Sequence, residues 1–203
     1  ASARPPQRSF FHALLRSPSG LIGIVIVGLL VVCALTAPII APHDPLRMAA
    51  GPRLQPPSWD YWMGTDDFGR DVLSRLIASI RISLTIAFLA TLVSAVLGVS
   101  LGFLAAYFRG RVEQGILMLI DAQAAMPFMI IALAVLAFLG NSLTLFTLLM
   151  GFYGRERIAR IARGLAIAAQ EQGYASAARD LGASPWRVYG RHILPNIAST
   201  LLV

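Results

Sequence analysis

LIGIVIVGLLVVCALTAPIIA, from Leu21 to Ala41, is an apolar run without a single charged side chain. About twenty such residues in a helix cross a hydrocarbon core of roughly 30 Å. The run exceeds the apolar centre of a secretory leader, about 7–15 residues, and Ala37-Pro38 is a poor cleavage context, so it reads as a spanning helix rather than a removed signal. The whole chain agrees. Its 203 residues are 57% hydrophobic and only 13% charged, with a mean hydropathy of +0.69, too little polar surface for a soluble domain of this size. The expected fold is an all-α, polytopic transmembrane bundle.

All 17 basic residues are Arg and the net charge is +7. The absence of Lys argues against a nucleic-acid-binding tail, and the arginines are read instead as markers of topology. The one cysteine, Cys33, lies inside the apolar run, so no disulfide framework or thiolate metal cluster is expected. His12, His43 and His192 are far apart and read as ordinary loop or interface histidines. The chain begins at Ala1 and stops at Val203 within an apolar stretch, and is expected to lack one or both ends.

After the first span comes a segment rich in Pro and Asp, Pro42 to Asp67, with Trp59, Tyr61 and Trp62 near its end. Proline blocks long regular elements and Trp and Tyr favour the headgroup level, so an ordered loop against the membrane surface is expected. Thr65, Asp66 and Asp67 offer helix caps. Leu73, Leu76, Ile77 and Ile80 then recur at helical spacing, with Asp71 and Arg75 as an i, i+4 pair, giving an interfacial amphipathic helix before a second span from about Ile82 to Tyr107. Within that span Ser94, Gly98, Gly102 and Ala106 form a four-residue stripe of small side chains, suited to close packing against another helix.

A short charged turn, Phe108 to Gln114, leads to a third span, Ile116 to Leu139, which holds Asp121, Gln123 and a helix-kinking Pro127. Asp121 is a candidate for a pathway residue, although its closeness to the turn favours a bond to a neighbouring helix near the headgroups. From Leu143 one long helix is expected through Ile167, with Arg155, Arg157, Arg160 and Arg163 snorkelling or facing the bundle interior. Twelve arginines lie in segments 1–20, 108–115 and 154–192, against five in 42–81 that are matched there by five aspartates. The positive-inside rule therefore places the N-terminus and residues 1–20 in the cytoplasm, 42–81 outside, and 154–195 in the cytoplasm.

The last of these segments carries the clearest local pattern. Between Tyr174 and Asn196 the residues describe two short helices and a bend: Ala175, Ala177 and Ala178 favour helix, Gly182 stops it, Ser184-Pro185 starts another, and Pro195 halts that one. Such an amphipathic pair suits docking into a groove on a partner.

Residues 176–195 resemble the cytoplasmic signature loop of ATP-binding-cassette (ABC) importer permeases: Glu-Ala-Ala, three residues, Gly, nine residues, Ile, one residue, Leu-Pro. Ala177, Ala178, Gly182, Leu194 and Pro195 match; Ser176 replaces the Glu and His192 the Ile. The Arg-His-Ile-Leu-Pro-Asn ending is similar to the peptide and nickel branch. Independently, Gly64-Thr-Asp-Asp-Phe-Gly-Arg-Asp-Val-Leu-Ser-Arg75, followed by Arg81-Ile-Ser, resembles the segment before the second span of the second (C-type) permease subunit of dipeptide, oligopeptide and nickel importers, and Ala37 to Pro45 resembles that subunit's exit from its first span.

The resemblance covers residues 10–203. It implies a type I importer permease within residues 21–203, of whose six spans this chain would hold about four and the start of a fifth near Asn196. It implies as partners a homologous permease subunit, two cytoplasmic ABC ATPases that bind ATP and Mg, and a periplasmic solute-binding protein, in a bacterial inner membrane. The chain itself has no Gly-x-x-x-x-Gly-Lys-Ser/Thr loop and is expected to bind no nucleotide, metal or nucleic acid and to be no enzyme. Tyr174, Ser176, Ala177, Ala178, Gly182, Ser184, Trp186, Arg187, Leu194 and Pro195 are the candidate ATPase-coupling residues, with Tyr189 as a further anchor. Gly64, Thr65, Asp66, Gly69, Arg70, Asp71, Ser74 and Arg75 form the periplasmic motif. Peptides are the implied cargo, with nickel chelates and opines carried by similar systems. Two rival readings need no ATPase: an ion-coupled carrier or channel using Asp121 and the Arg155–Arg163 helix, and a truncated membrane scaffold that transports nothing.

Overall fold

A computed structural model describes residues 17–172 and 181–201. Among these residues there is no strand, only one isolated antiparallel bridge between Thr65 and Asp71. The chain divides into two compact units, Ala1–Thr85 and Ile86–Val203.

In the first unit, α1 (Pro18–Ile40) has Pro18 at its first position and Ser17 as its N-cap, accepting the Gly20 N–H. Leu29 and Leu35 are 70% and 75% exposed, as a helix solvated by lipid requires. The loop after α1 folds on its own backbone: Ala49, Gly51 and Leu54 donate to the carbonyls of Phe68, Gly69 and Asp66. Gly64 and Gly69 have φ of 73° and 69°, and a Cβ on either would stand 2.3–2.4 Å from a carbonyl oxygen, of Gln55 and Gly51 respectively. Only glycine fits there.

The expected interfacial helix and second span are one uninterrupted helix, α2 (Val72–Phe108), of 37 residues. No Gly or Pro lies between Val72 and Ile82 to separate them, and Arg81 sits exposed on the continuous helix. The helix also starts later than Thr65–Asp67: Asp71 is the capping side chain, accepting the Ser74 N–H at 3.1 Å.

In the second unit, α2 is followed by α3 (Gly110–Ala124), α4 (Phe128–Leu139) and α5 (Leu143–Gln170). The charged turn is shorter than expected. Arg109 alone breaks the helix, at φ 49°, and Arg111 and Glu113 already belong to α3. Pro127 does more than kink the third apolar segment: α3 and α4 meet at 83° across the break. The single long helix expected from Leu143 is present as α5, capped by Ser142.

Residues beyond Gly182 form α6 (Pro185–Arg187), a π-helical turn (Val188–Ile193) and α7 (Leu194–Leu201) in unbroken succession. Pro195 was expected to halt this helix and does not. A proline ring normally collides with the carbonyl four residues back. The preceding turn is widened, so that the Leu194 N–H reaches Tyr189 O, and the ring is accommodated.

By length and apolarity α1 and α2 can cross a membrane, and the α3–α4 pair makes a third if it counts as one span. α5 has the length, but its arginines keep it out of that class.

Candidate functional site

The face of α2 that carries Ser94, Gly98, Gly102 and Ala106 lies against α5. Ser94 Oγ donates to Gly151 O at 2.7 Å. A Cβ on Gly98 would come within 2.9 Å of Arg155 O and 2.7 Å of Ile158 Cβ, and one on Gly102 within 2.6 Å of Ala159 O. Ala106, Ala162 and Ala166 are fully buried. The matching small face of α5, Gly151, Ala159, Ala162, Ala166 and Ala169, was missed in the sequence, although its spacing of three and four was there to be read.

This contact supports the candidate coupling region. Val188, Tyr189, Ile193 and Ile197 pack with Ala106, Ala166 and Ala169 in one cluster, with Phe103 and Leu165 at its edge. Tyr189 lies 5.1 Å from Phe103 and 6.0 Å from Tyr107 between ring centroids, and its hydroxyl accepts from Gln170 Nε2 at 2.7 Å. Tyr189 is therefore 8% exposed and cannot serve as an anchor for a partner, which corrects that expectation. Trp186 and Leu181 are the reverse, at 86% and 88% exposure. Arg187 is exposed beside them, Leu194 is half-buried and Pro195 exposed. Ser184 takes the N-cap position, but through its carbonyl, which accepts from Arg187 and Val188, not through its hydroxyl. Gly182 has φ 79°, in the left-handed region that favours glycine, with no atom near the place of a Cβ. Tyr174, Ser176, Ala177 and Ala178 lie outside the described residues.

The charges of α5 are largely paired with α3. Arg160 Nη1 donates to Asp121 Oδ1 at 3.0 Å, so Asp121 bonds to a neighbouring helix. Arg163 pairs with Glu113. Arg155 Nη2 donates to Gln123 Oε1 at 2.7 Å and its guanidinium lies 3.6 Å over the Phe152 ring. At the α3–α4 break, the Tyr153 hydroxyl bonds the carbonyls of Gln123 and Met126, while Gln123 Nε2 donates to Phe152 O and Tyr153 O. This Gln123–Tyr153 clasp joins residues thirty apart, and no local pattern announces it.

The Gly64–Arg75 motif forms two carboxylate centres in the first unit. Asp66 accepts from the N–H groups of Phe68 and Arg70, from Arg70 Nε at 2.8 Å and from Arg75. Its desolvation works upward, but the Arg70 and Phe68 N–H bonds and the Arg70 side chain prevail and lower its pKa from 3.8 to about 2. Asp71 is 1% exposed, and accepts from Ser74 Oγ at 2.5 Å and from His43 Nδ1 at 3.4 Å. Burial again works upward, and the Ser74, His43 and Leu73 bonds outweigh it and hold Asp71 below the usual carboxylate range. Arg75 thus pairs with Asp66 and not, as expected from i, i+4 spacing, with Asp71. Thr65 Oγ1 accepts the Gln55 N–H and donates to Pro52 O, fixing the loop beside the motif.

Residues 98–203 match the family model of binding-protein-dependent transport system inner membrane components, and residues 6–57 match that of the N-terminal transmembrane domain of oligopeptide transport permease C. The chain is 32% identical over its whole length to a glutathione transport system permease protein of Pectobacterium atrosepticum, of which it covers 67%. It is 30% identical, again over its whole length, to a dipeptide transport system permease protein of Alkalihalophilus pseudofirmus, covering 66% of it. Over 94% of the chain it is 36% identical to a putative peptide transport system permease protein of Brucella suis, covering 64%. The chain thus spans about two thirds of the length of these relatives. With its all-helical architecture and apolar exposed helices, it is a multi-pass membrane protein, a transport permease and not an enzyme, and it belongs to the family of binding-protein-dependent transport system inner membrane components.

Proposed function

We propose that this chain is a membrane subunit of an ABC importer for peptide-type solutes, and that residues 174–195 couple it to separate ATPases. One observation carries the reading: ahead of a segment locked into the α2–α5 core, Leu181 in the turn before α6 and Trp186 in α6, both large and apolar, stand outward. An exposed tryptophan on a rigid support is what a partner's groove requires. ATP and Mg belong to two cytoplasmic ATPases, since the chain has no phosphate-cradling loop. A homologous permease subunit completes the pathway and a periplasmic solute-binding protein delivers the cargo. The relatives named for dipeptides and glutathione support a peptide cargo. The arginine distribution supports a cytoplasmic N-terminus, and α5 is read as a further crossing, with Arg155, Arg160 and Arg163 bonded to α3.

The rival ion pathway through Asp121 and the α5 arginines loses its main support, because Arg160 and Arg163 are paired with Asp121 and Glu113. The test is Gly182→Arg in the reconstituted importer. A left-handed backbone and a bulky side chain at the docking edge should abolish ATP-dependent uptake and weaken ATPase association. Wild-type uptake and association in that variant refute the coupling role, and uptake driven by an ion gradient without ATP refutes the importer.

A further inference from the structure

Beside the α3–α4 break, a cleft of about 570 Å³ opens between Met126, Pro127 and Phe128 on one side and the α5 turn from Tyr153 to Arg157 on the other. α4 has 12 residues, about 18 Å of helix, so the break lies within the depth of a hydrocarbon core of about 30 Å. Irregular backbone at such depth is stable only where protein covers it or where it lines a wet cavity. The Gln123 and Met126 carbonyls are held by Tyr153.

Two charged groups at this cleft have atoms that the fold leaves without partners. Arg157 is exposed and has no hydrogen bond or ion pair among the described residues. Glu156 Oε1 accepts from Arg160 at 3.3 Å, but Oε2 is buried without a partner. The other three α5 arginines each bond to α3, Arg155 to Gln123, Arg160 to Asp121 and Arg163 to Glu113, although Arg155 Nε is left without a partner. A cation without a partner and a buried carboxylate oxygen without one, on a single turn of α5, are expensive and mark a place that a polar ligand visits. The cleft volume suits a small solute.

We propose that this cleft is a solute-binding station of the transport pathway, where Arg157 receives the carboxylate of a zwitterionic solute and Glu156 Oε2 its ammonium group. The proposal rests on the importer reading above and adds to it the residues that contact cargo.

The test uses the complete importer in vesicles, with radiolabelled Ala-Ala and its C-terminal amide each presented on saturating binding protein, so that the binding protein's own preference is removed. Wild type should take up the free acid about tenfold or more faster than the amide, the worth of a charged hydrogen-bonded pair. Arg157→Gln should abolish that preference by slowing the acid alone, with ATP hydrolysis kept, and Arg157→Lys should restore most of it. N-acetyl-Ala-Ala should show the mirror result, with Glu156→Gln removing the preference for the free amine. An equal fall for acid and amide in Arg157→Gln, as a role in subunit packing would give, overturns the proposal, as does an unchanged preference. Wild-type vesicles that import none of the peptides with ATP overturn the importer reading itself, and the station with it.

Discussion

Gly102→Ala adds one carbon where α2 and α5 touch most closely. Its Cβ would stand 2.6 Å from Ala159 O, 2.8 Å from Ala162 Cβ and 2.9 Å from Arg163 N, where ordinary contact begins at 3.4 Å. All three atoms are backbone or Cβ, so no rotamer change relieves the clash. The helices must part by roughly 0.5–0.8 Å, loosening the Ser94–Gly151 bond and the dispersion contacts along the face. Overpacking of this kind costs about 1–3 kcal/mol. The same change also favours the helix itself by about 1 kcal/mol, which would blur the result. Gly28→Ala on α1 supplies the control, because nothing lies within 4 Å of its Cβ. Thermal melting of the purified protein in detergent, followed by tryptophan fluorescence, should place Gly28→Ala at or above wild type and Gly102→Ala below Gly28→Ala by the full clash energy. Equal melting of the two variants would refute close packing of α2 on α5.

Tyr153→Phe strips the Gln123 and Met126 carbonyls of their hydroxyl partner and should cost about 0.6–2 kcal/mol, read as faster amide hydrogen exchange across residues 123–131. Trp186→Ala removes an exposed ring and should leave melting unchanged while weakening ATPase association about tenfold; a melting loss without a binding loss would contradict its placement. The Asp66 carboxyl titrates near 2 when folded against 3.8 otherwise, so its contribution is complete above about pH 4 and is lost as pH falls through 2. Tryptophan fluorescence of the 42–71 loop should therefore show wild type more stable than Asp66→Asn at pH 6, with the difference shrinking below pH 4 and vanishing only below pH 2. A constant difference across that range would disprove the pairing.

Much of the helical plan is visible in composition and spacing alone, because lipid imposes a severe filter: long apolar runs such as Leu21–Ala41 have few alternatives. The small-residue stripe was also readable, since a close approach needs a fixed four-residue repeat. What the chain hides is which polar groups meet beyond one helical turn, nine residues apart for Asp66 and Arg75 and thirty for Gln123 and Tyr153. Asp71 and Arg75 look like a helical pair until Asp66 folds back to take the arginine. Tyr189 looks like a surface anchor until Phe103 and Gln170 enclose it. The position of Pro195 points to a stop only if the preceding turn is α-helical. The candidate coupling residues rest on family resemblance and not on local physics, and Tyr174, Ser176, Ala177 and Ala178 lie outside the described residues.

The π-helical turn at Val188–Ile193 has a further consequence. It stores one residue more than an α-helical turn would hold. Reverting it to α geometry would advance α7 by a single tooth, turning everything from Leu194 onward by about 100° and shifting it by about 1.5 Å. Pro195 sits just past that turn and penalises the reversion, so it acts as the pawl of a ratchet. A change confined to that one turn would therefore reach α7 as rotation and not only as tilt.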